Sequence, residues 1–237
     1  MTADSPQYAV RIDASGVKLA GDLTIPAQAT GLVVFAHGSG SSRFSPRNQF
    51  VARELQKGKL ATLLFDLLTS EEEAEDIITA RLRFDIDLLG RRLVAVTDWL
   101  QQEPRASALP IGYFGASTGA AAALIAAAAR PSVVGAVVSR GGRPDLAPNA
   151  LASVAAPTLL IVGGADHVVL DLNEWALKQL NCVKRLEVVP RATHLFEEPG
   201  ALEEVARLAR DWFVACLGHK APALTFPRRT AARTSTR

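Results

Sequence analysis

The chain is poor in several residue types, and each scarcity narrows what it can be. Only two cysteines occur in 237 residues, Cys182 and Cys216, and they form no CxxC pair. That argues against a disulfide scaffold, and both thiols are expected to be buried as small apolar groups. So few cysteines suit a reducing, cytoplasmic setting. The four histidines, His37, His167, His194 and His219, show no metal-ligand spacing, so no metal is expected. Long apolar runs are missing too. The most apolar stretch, Ala120–Ala129, falls well short of the ~20 residues that span a bilayer and reads as a buried helix, so no membrane association is expected. Residues 1–13, MTADSPQYAVRID, lack a basic segment followed by an apolar run, and no secretory signal is expected there.

Neither charge sign dominates: the formal net charge is +2. The sign is unevenly spread. The segment from His219 to Arg237 carries Lys220, Arg228, Arg229, Arg233 and Arg237 without an acid, which leaves the remainder net negative. A nucleic-acid surface would need its basic residues on the folded body, interleaved with aromatics. Here they sit in a Pro-, Thr- and Ala-rich end that reads as a disordered tail, residues 219–237, behind a single domain of residues 1–218. No nucleic-acid partner is expected. A monomer or a homodimer acting on a small molecule fits this composition.

What is present is a regular alternation. Two short segments, Tyr8–Asp13 and Val17–Ile25, flank the turn Ala14-Ser15-Gly16 and read as an antiparallel hairpin. Apolar runs then follow at Leu32–Ala36, Leu60–Phe65, Ile111–Phe114, Val133–Ser139, Thr158–Val162 and Lys184–Val189. Runs such as LVVFA and TLLIV lack polar alternation, as expected of parallel strands covered on both faces. Helical patterns lie between them at Pro46–Gln56, Asp85–Gln102, Thr118–Ala129, Asp171–Gln179 and Gly200–Cys216. The fold class is therefore α/β, a mostly parallel, doubly wound sheet with an antiparallel N-terminal hairpin. The acidic run Glu71–Asp76 reads as a solvated loop or short helix. Only about 18 residues separate the strand ending near Ser139 from the one starting near Thr158, too few for a large lid, so an open site is expected.

Chemistry concentrates in three loops. Gly115-Ala116-Ser117-Thr118-Gly119 joins the run IGYF to the alanine-rich helix. A GxSxG turn between strand and helix forces its serine into a strained conformation with the hydroxyl exposed. Ser117 is the candidate nucleophile. It needs a base, and His194 lies on a loop just after the strand RLEVVP. The base needs an acid, and Asp166 follows TLLIV through Gly163-Gly164-Ala165, with Asp171 or Glu174 as weaker alternatives. Asp171 reads as the cap of the following helix. The expected oxyanion donors are the main-chain N–H groups of Thr118 and Ser39, with Gly40 as the alternative to Ser39. His37 reads as a structural residue of that loop. Among possible substrate contacts, Arg140, Arg143 and Arg43 lie near the same edge, where a guanidinium can clasp a carboxylate. His167 lines the pocket or sits exposed beside it.

These residues carry a resemblance. The segments HGSGSS, GASTG, GGADHVV and ATHLFEEPGALEEVA are similar to those of compact, lidless α/β hydrolases of the dienelactone-hydrolase-like group, over roughly Gly21 to Leu217. The resemblance implies the α/β-hydrolase fold and hydrolysis of carboxylic esters, lactones or thioesters without a cofactor. One departure matters: dienelactone hydrolases proper use a cysteine nucleophile, and this chain has Ser117. That shifts the expectation toward a serine carboxylesterase acting on short, acidic or lactone substrates. A thioesterase or acyltransferase would use the same three residues, and a binding protein on a silent scaffold would not need all three.

Overall fold

The computed structural model describes residues 5–218. The basic segment 219–237, read above as a disordered tail, lies outside the described residues. Eight strands form one sheet: β1 (Gln7–Asp13), β2 (Lys18–Thr24), β3 (Gly31–Ala36), β4 (Leu60–Phe65), β5 (Ile111–Ala116), β6 (Val134–Arg140), β7 (Thr158–Gly163) and β8 (Lys184–Val189). Their spatial order is β1-β2-β4-β3-β5-β6-β7-β8. β1 and β2 form the expected antiparallel hairpin, β2 runs antiparallel to β4, and the others pair in parallel.

Burial follows position in the sheet. Every residue of β3, β4, β5 and β7 is buried, which is why those runs carry no polar alternation. The edge strands β1 and β8 keep exposed positions. One face packs α1 (Pro46–Lys57) and α6 (Ala201–Leu217); the other packs α3 (Ile86–Leu100), α4 (Thr118–Ala129) and α5 (His167–Gln179). α4 is apolar all round and central, and nine of its residues are buried. Its small alanines let it lie close to the sheet. Gly90 of α3 meets it so closely that a methyl there would come 2.8 Å from Ile125.

Three expectations are refined. The acidic run takes the short-helix form, α2 (Ser70–Thr79), opened by a reciprocal capping box between Thr69 and Glu72, with Glu71 and Glu75 exposed. Asp76, from its last turn, is buried and accepts hydrogen bonds from the Leu82 and Arg83 N–H groups and from Arg83 Nε. Glu72 pairs with the buried Arg92 at 2.6 Å. The run itself shows helix-sized spacing; it does not show the distant cations that draw these acids inward. Second, α5 starts at His167, so Asp171 lies inside it rather than at its cap. Third, the cysteines are free and half-buried at the core margin rather than buried outright, and burial pushes the Cys216 thiol up to about 12. No large lid rises between β6 and β7: that connection holds only two short helical turns, Pro144–Leu146 and Leu151–Ser153.

Candidate active site

Parallel strands bring their carboxyl ends to one edge, and the chemistry-bearing loops meet there. Ser117 is the single residue between β5 and α4, with φ 50 and ψ −120. A non-glycine residue in such a conformation costs about 1–3 kcal/mol, so its surroundings must impose it. They do so through close approach. A methyl at Gly115 would lie 2.4 Å from Ala120 Cα, and one at Gly119 would lie 2.2 Å from the Ala36 carbonyl oxygen. The Ser117 N–H donates to the Arg140 carbonyl at 3.3 Å, and the Arg143 N–H donates to the Ser117 carbonyl at 3.1 Å. The turn is thereby tied to the end of β6.

Asp166 and His194 come together as read. His194 Nδ1–H donates to Asp166 Oδ2 at 2.7 Å. Asp166 occupies the N-cap position of α5 yet caps nothing with its side chain, because its carboxylate is committed to the imidazole. The two loops are clamped by main-chain bonds: Ala165 N–H donates to the Ala192 carbonyl and Gly164 N–H to that of Val189. Phe196, two residues past His194, is buried and anchors that loop in the core despite a φ of 56. With Nδ1 taken, Nε2 is the nitrogen left for proton transfer. Among the described residues it makes no hydrogen bond, to Ser117 Oγ or to any other group. The imidazole lies against Gly141, the residue after the Arg140 that holds Ser117; a methyl at Gly141 would be 3.5 Å from its Nδ1 and Cε1.

The loop after β3 supplies the third wall. Gly38 packs on Ser117, and a methyl there would be 3.1 Å from its Cβ. Of the two alternatives for a second oxyanion donor, Ser39 lies beside the elbow, and its N–H donates to Thr118 Oγ1 at 3.0 Å. The sequence points only to the Thr118 main chain, so this role of its hydroxyl is new. Gly40 is exposed at the loop tip with φ 68, toward Arg83. His37 proves structural. Leu67 N–H can only donate to His37 Nε2, at 3.1 Å, so Nδ1 carries the proton and donates to the Gly38 carbonyl at 3.0 Å.

Burial holds the His37 ring below its ordinary value of 6.5, against the opposing pull of the Gly38 carbonyl and the Asp66 and Glu73 charges. The linkage has a definite sign. An unfolded chain takes up a proton on His37 as pH falls below about 6.5, and the folded chain does so only at lower pH. The contribution to stability is therefore present above that value and declines as pH falls from it through the folded value. Urea unfolding at pH 7.5 and 5.5 should show a larger loss of stability for the wild type than for His37→Asn. Equal losses would mean that His37 is not held neutral.

The remaining candidates sort by their partners. His167 is exposed in the first turn of α5, has no hydrogen bond among the described residues, and does not join the pair beside it. Arg143 is held by both Asp145 oxygens, at 2.9 and 2.7 Å. Arg43 pairs with Asp66 and Asp22 and stacks over Phe44. Arg140 differs: it is buried at the end of β6 with two guanidinium nitrogens unpartnered. Arg47, beside it in charge terms, escaped notice in the sequence. One signal was available, since an arginine in the first turn of a helix opposes the helix dipole and calls for a reason. Among the described residues no three His, Cys, Asp or Glu side chains gather as a metal would require, and no helix is long and apolar enough to cross a membrane.

Comparison with known proteins agrees with this fold. The model of the dienelactone hydrolase family matches residues 23–216. The crystal structure of a dienelactone hydrolase from Anabaena variabilis is 62% identical, covers 89% of this chain and 98% of its own, and superposes with a TM-score of 0.88. Est1E from Butyrivibrio proteoclasticus, 17% identical over 87% of this chain and 97% of its own, shares the fold with a TM-score of 0.73. Two Mycobacterium tuberculosis proteins, each bearing the name "Putative phosphoribosyl transferase", are 59% identical over 205 residues, 86% of this chain. The chain spans only 45% of the length of those relatives.

Proposed function

The chain belongs to the dienelactone hydrolase family, and on that premise we propose that it is a serine hydrolase that cleaves carboxylic esters through an acyl-enzyme on Ser117. The observation that carries this reading is the strained Ser117 at the β5–α4 turn, one hydrogen bond away from the segment that faces His194. A fold keeps such strain where a hydroxyl must be presented at one point.

The chemistry follows from the atoms. His194 Nε2 takes the Ser117 proton, Oγ bonds to the ester carbonyl carbon, and the carbonyl oxygen becomes an oxyanion. Asp166 keeps the ring in the Nδ1–H tautomer and stabilises the imidazolium. The oxyanion is received by the main-chain N–H groups of Thr118 and Ser39, the latter exchanging the Thr118 hydroxyl for substrate oxygen. His194 then returns the proton to the leaving alcohol. A water deprotonated by the same nitrogen adds to the acyl carbon, and the acid departs with Ser117 restored. Short and acidic esters or lactones suit the lidless edge. Phosphoribosyl transfer does not enter this reading, because the match spans less than half of the proteins that bear that name.

A fluorophosphonate probe should add to Ser117, located by mass spectrometry of the labelled peptide, and p-nitrophenyl acetate should release nitrophenol catalytically. Adding an alcohol or a thiol during turnover separates hydrolysis from acyl transfer: a hydrolase keeps yielding free acid. A folded protein that is neither labelled nor active would refute the reading.

A further inference from the structure

Asn173 is a buried polar side chain that the chemistry described so far leaves without a task. It lies in the middle of α5 with no exposed surface. Asparagine is a poor helix former, and a buried amide is costly unless its hydrogen bonds are made. Packing alone would be served better by leucine or alanine. Nδ2 donates to the Val169 carbonyl at 2.8 Å, one turn back in the same helix, and to the Gly142 carbonyl at 2.9 Å. Oδ1 has no partner among the described residues, yet the amide cannot be turned over, because its oxygen would then face both carbonyls. The Gly142 bond is the one that leaves the helix, and it reaches 31 residues back along the chain.

Gly142 belongs to the segment 140–143, which lies against both halves of the site. Ser117 is bracketed by it: the Arg140 carbonyl accepts the Ser117 N–H, and the Arg143 N–H donates to the Ser117 carbonyl. Between them Gly141 faces the His194 ring, where a methyl would lie 3.5 Å from Nδ1. Gly142 itself is pressed on α4 and β6. A methyl there would lie 2.7 Å from Ala120 Cβ and 2.0 Å from Ser139 Oγ, so the segment has no room to settle further onto either. The Asn173 amide ties it to α5, whose N-cap residue is Asp166, the partner of His194 at 2.7 Å. One buried hydrogen bond thus joins the element that carries the acid to the segment that grips the serine.

We propose that Asn173 is a positioning residue, whose bond to the Gly142 carbonyl sets the distance between Ser117 Oγ and the His194 imidazole. The inference rests on the esterase reading and adds to it a residue that touches no substrate. Proton transfer needs the two groups within hydrogen-bond reach, and a misplacement of about 1 Å costs roughly 10²-fold. A segment released from α5 loses part of that alignment while the substrate-binding edge stays in place. The cost therefore falls on kcat rather than on KM.

Asn173→Leu keeps the bulk of the side chain and removes its donors; Asn173→Ala removes them without the bulk, should leucine prevent folding. In either, kcat on p-nitrophenyl acetate should fall about 10- to 50-fold, with KM within about twofold of the wild type. Labelling of Ser117 by a fluorophosphonate should slow by a similar factor. Ala176→Gly, one turn further along the same buried face of α5, weakens the helix and leaves the Asn173 amide in place. Its folded fraction should keep the wild-type kcat. The low-field proton resonance of His194 Nδ1–H should persist in Asn173→Leu as in the wild type, because that bond lies between the loops after β7 and β8. Unchanged kcat in a folded Asn173 variant would overturn the proposal. So would an equal loss in Ala176→Gly, or disappearance of the Nδ1–H resonance in Asn173→Leu, since either marks general loosening and not misplacement of an intact pair. Failure of the esterase reading is distinct: the wild type itself would be neither labelled nor active.

Discussion

Ser117→Ala should leave a folded protein whose kcat on p-nitrophenyl acetate is lower by roughly four to six orders of magnitude, as in triads whose members act as one unit. The size of the effect follows from the site's construction. His194 is held by Asp166 at 2.7 Å with only Nε2 free, so without the serine hydroxyl no group stands ready to form the acyl intermediate. What survives is the modest rate from the oxyanion donors and substrate binding. Stability should hardly change, because the substituted alanine inherits the same φ of 50. Ser117→Gly separates strain from chemistry: it should be equally inactive, yet melt higher than Ser117→Ala, since glycine tolerates that backbone conformation. Steady-state kinetics with thermal melts of the three proteins decides the matter. Wild-type turnover by Ser117→Ala would remove Ser117 from the mechanism.

Gly119→Ala should be the most damaging substitution of a single hydrogen by a methyl at this site. The added carbon would lie 2.2 Å from the Ala36 carbonyl oxygen and 2.4 Å from that of His37. Both are backbone atoms at the end of β3, so no side chain can swing aside. Either α4 or the loop carrying Ser39 must move. Overpacking of this kind costs about 3 kcal/mol, and a shift of about 1 Å between donor and nucleophile costs roughly 10²-fold in rate. Urea unfolding should therefore show a large loss of stability, and the folded fraction should have reduced kcat/KM. Gly16→Ala is the fitting control. Its Cβ would meet nothing within 4 Å, although its φ of 94 disfavours a side chain, so its cost is conformational alone and activity should persist. A Gly119→Ala protein matching the wild type in both measurements would show that the elbow is not closely packed on β3.

Much of the site was legible in the chain itself. The GxSxG turn between an apolar run and an alanine-rich helix pointed to Ser117, because the pattern that marks such a turn lies in adjacent residues, although β3 and the end of β6 help to hold it. Asp166 and His194 each follow an apolar run by a short loop, and parallel pairing carries such positions to one edge. Arg143 offered its partner, Asp145, two residues away. Arg140 looked much the same in sequence, and its lack of a carboxylate partner among the described residues appears only when the elements around it are assembled. Arg47, Asp76 and the Thr118 hydroxyl escaped for a related reason: Asp76 is buried through a cation seven residues on, and Thr118 Oγ1 bonds an amide 79 residues away.

By itself, then, the sequence determined the alternation of strands and helices, the N-terminal hairpin, the strained serine, and the chain order of serine, aspartate and histidine. All of these depend on periodicity and turn chemistry that act within a few residues. The tertiary structure alone decided the strand order, with β4 lying outside β3, and the placement of Ser39 against Thr118. It also left the Arg140 guanidinium without a carboxylate among the described residues, while Arg47 reaches Glu197. Charge compensation and close approach depend on distances between elements, and those distances are set by how the whole sheet and its helices pack.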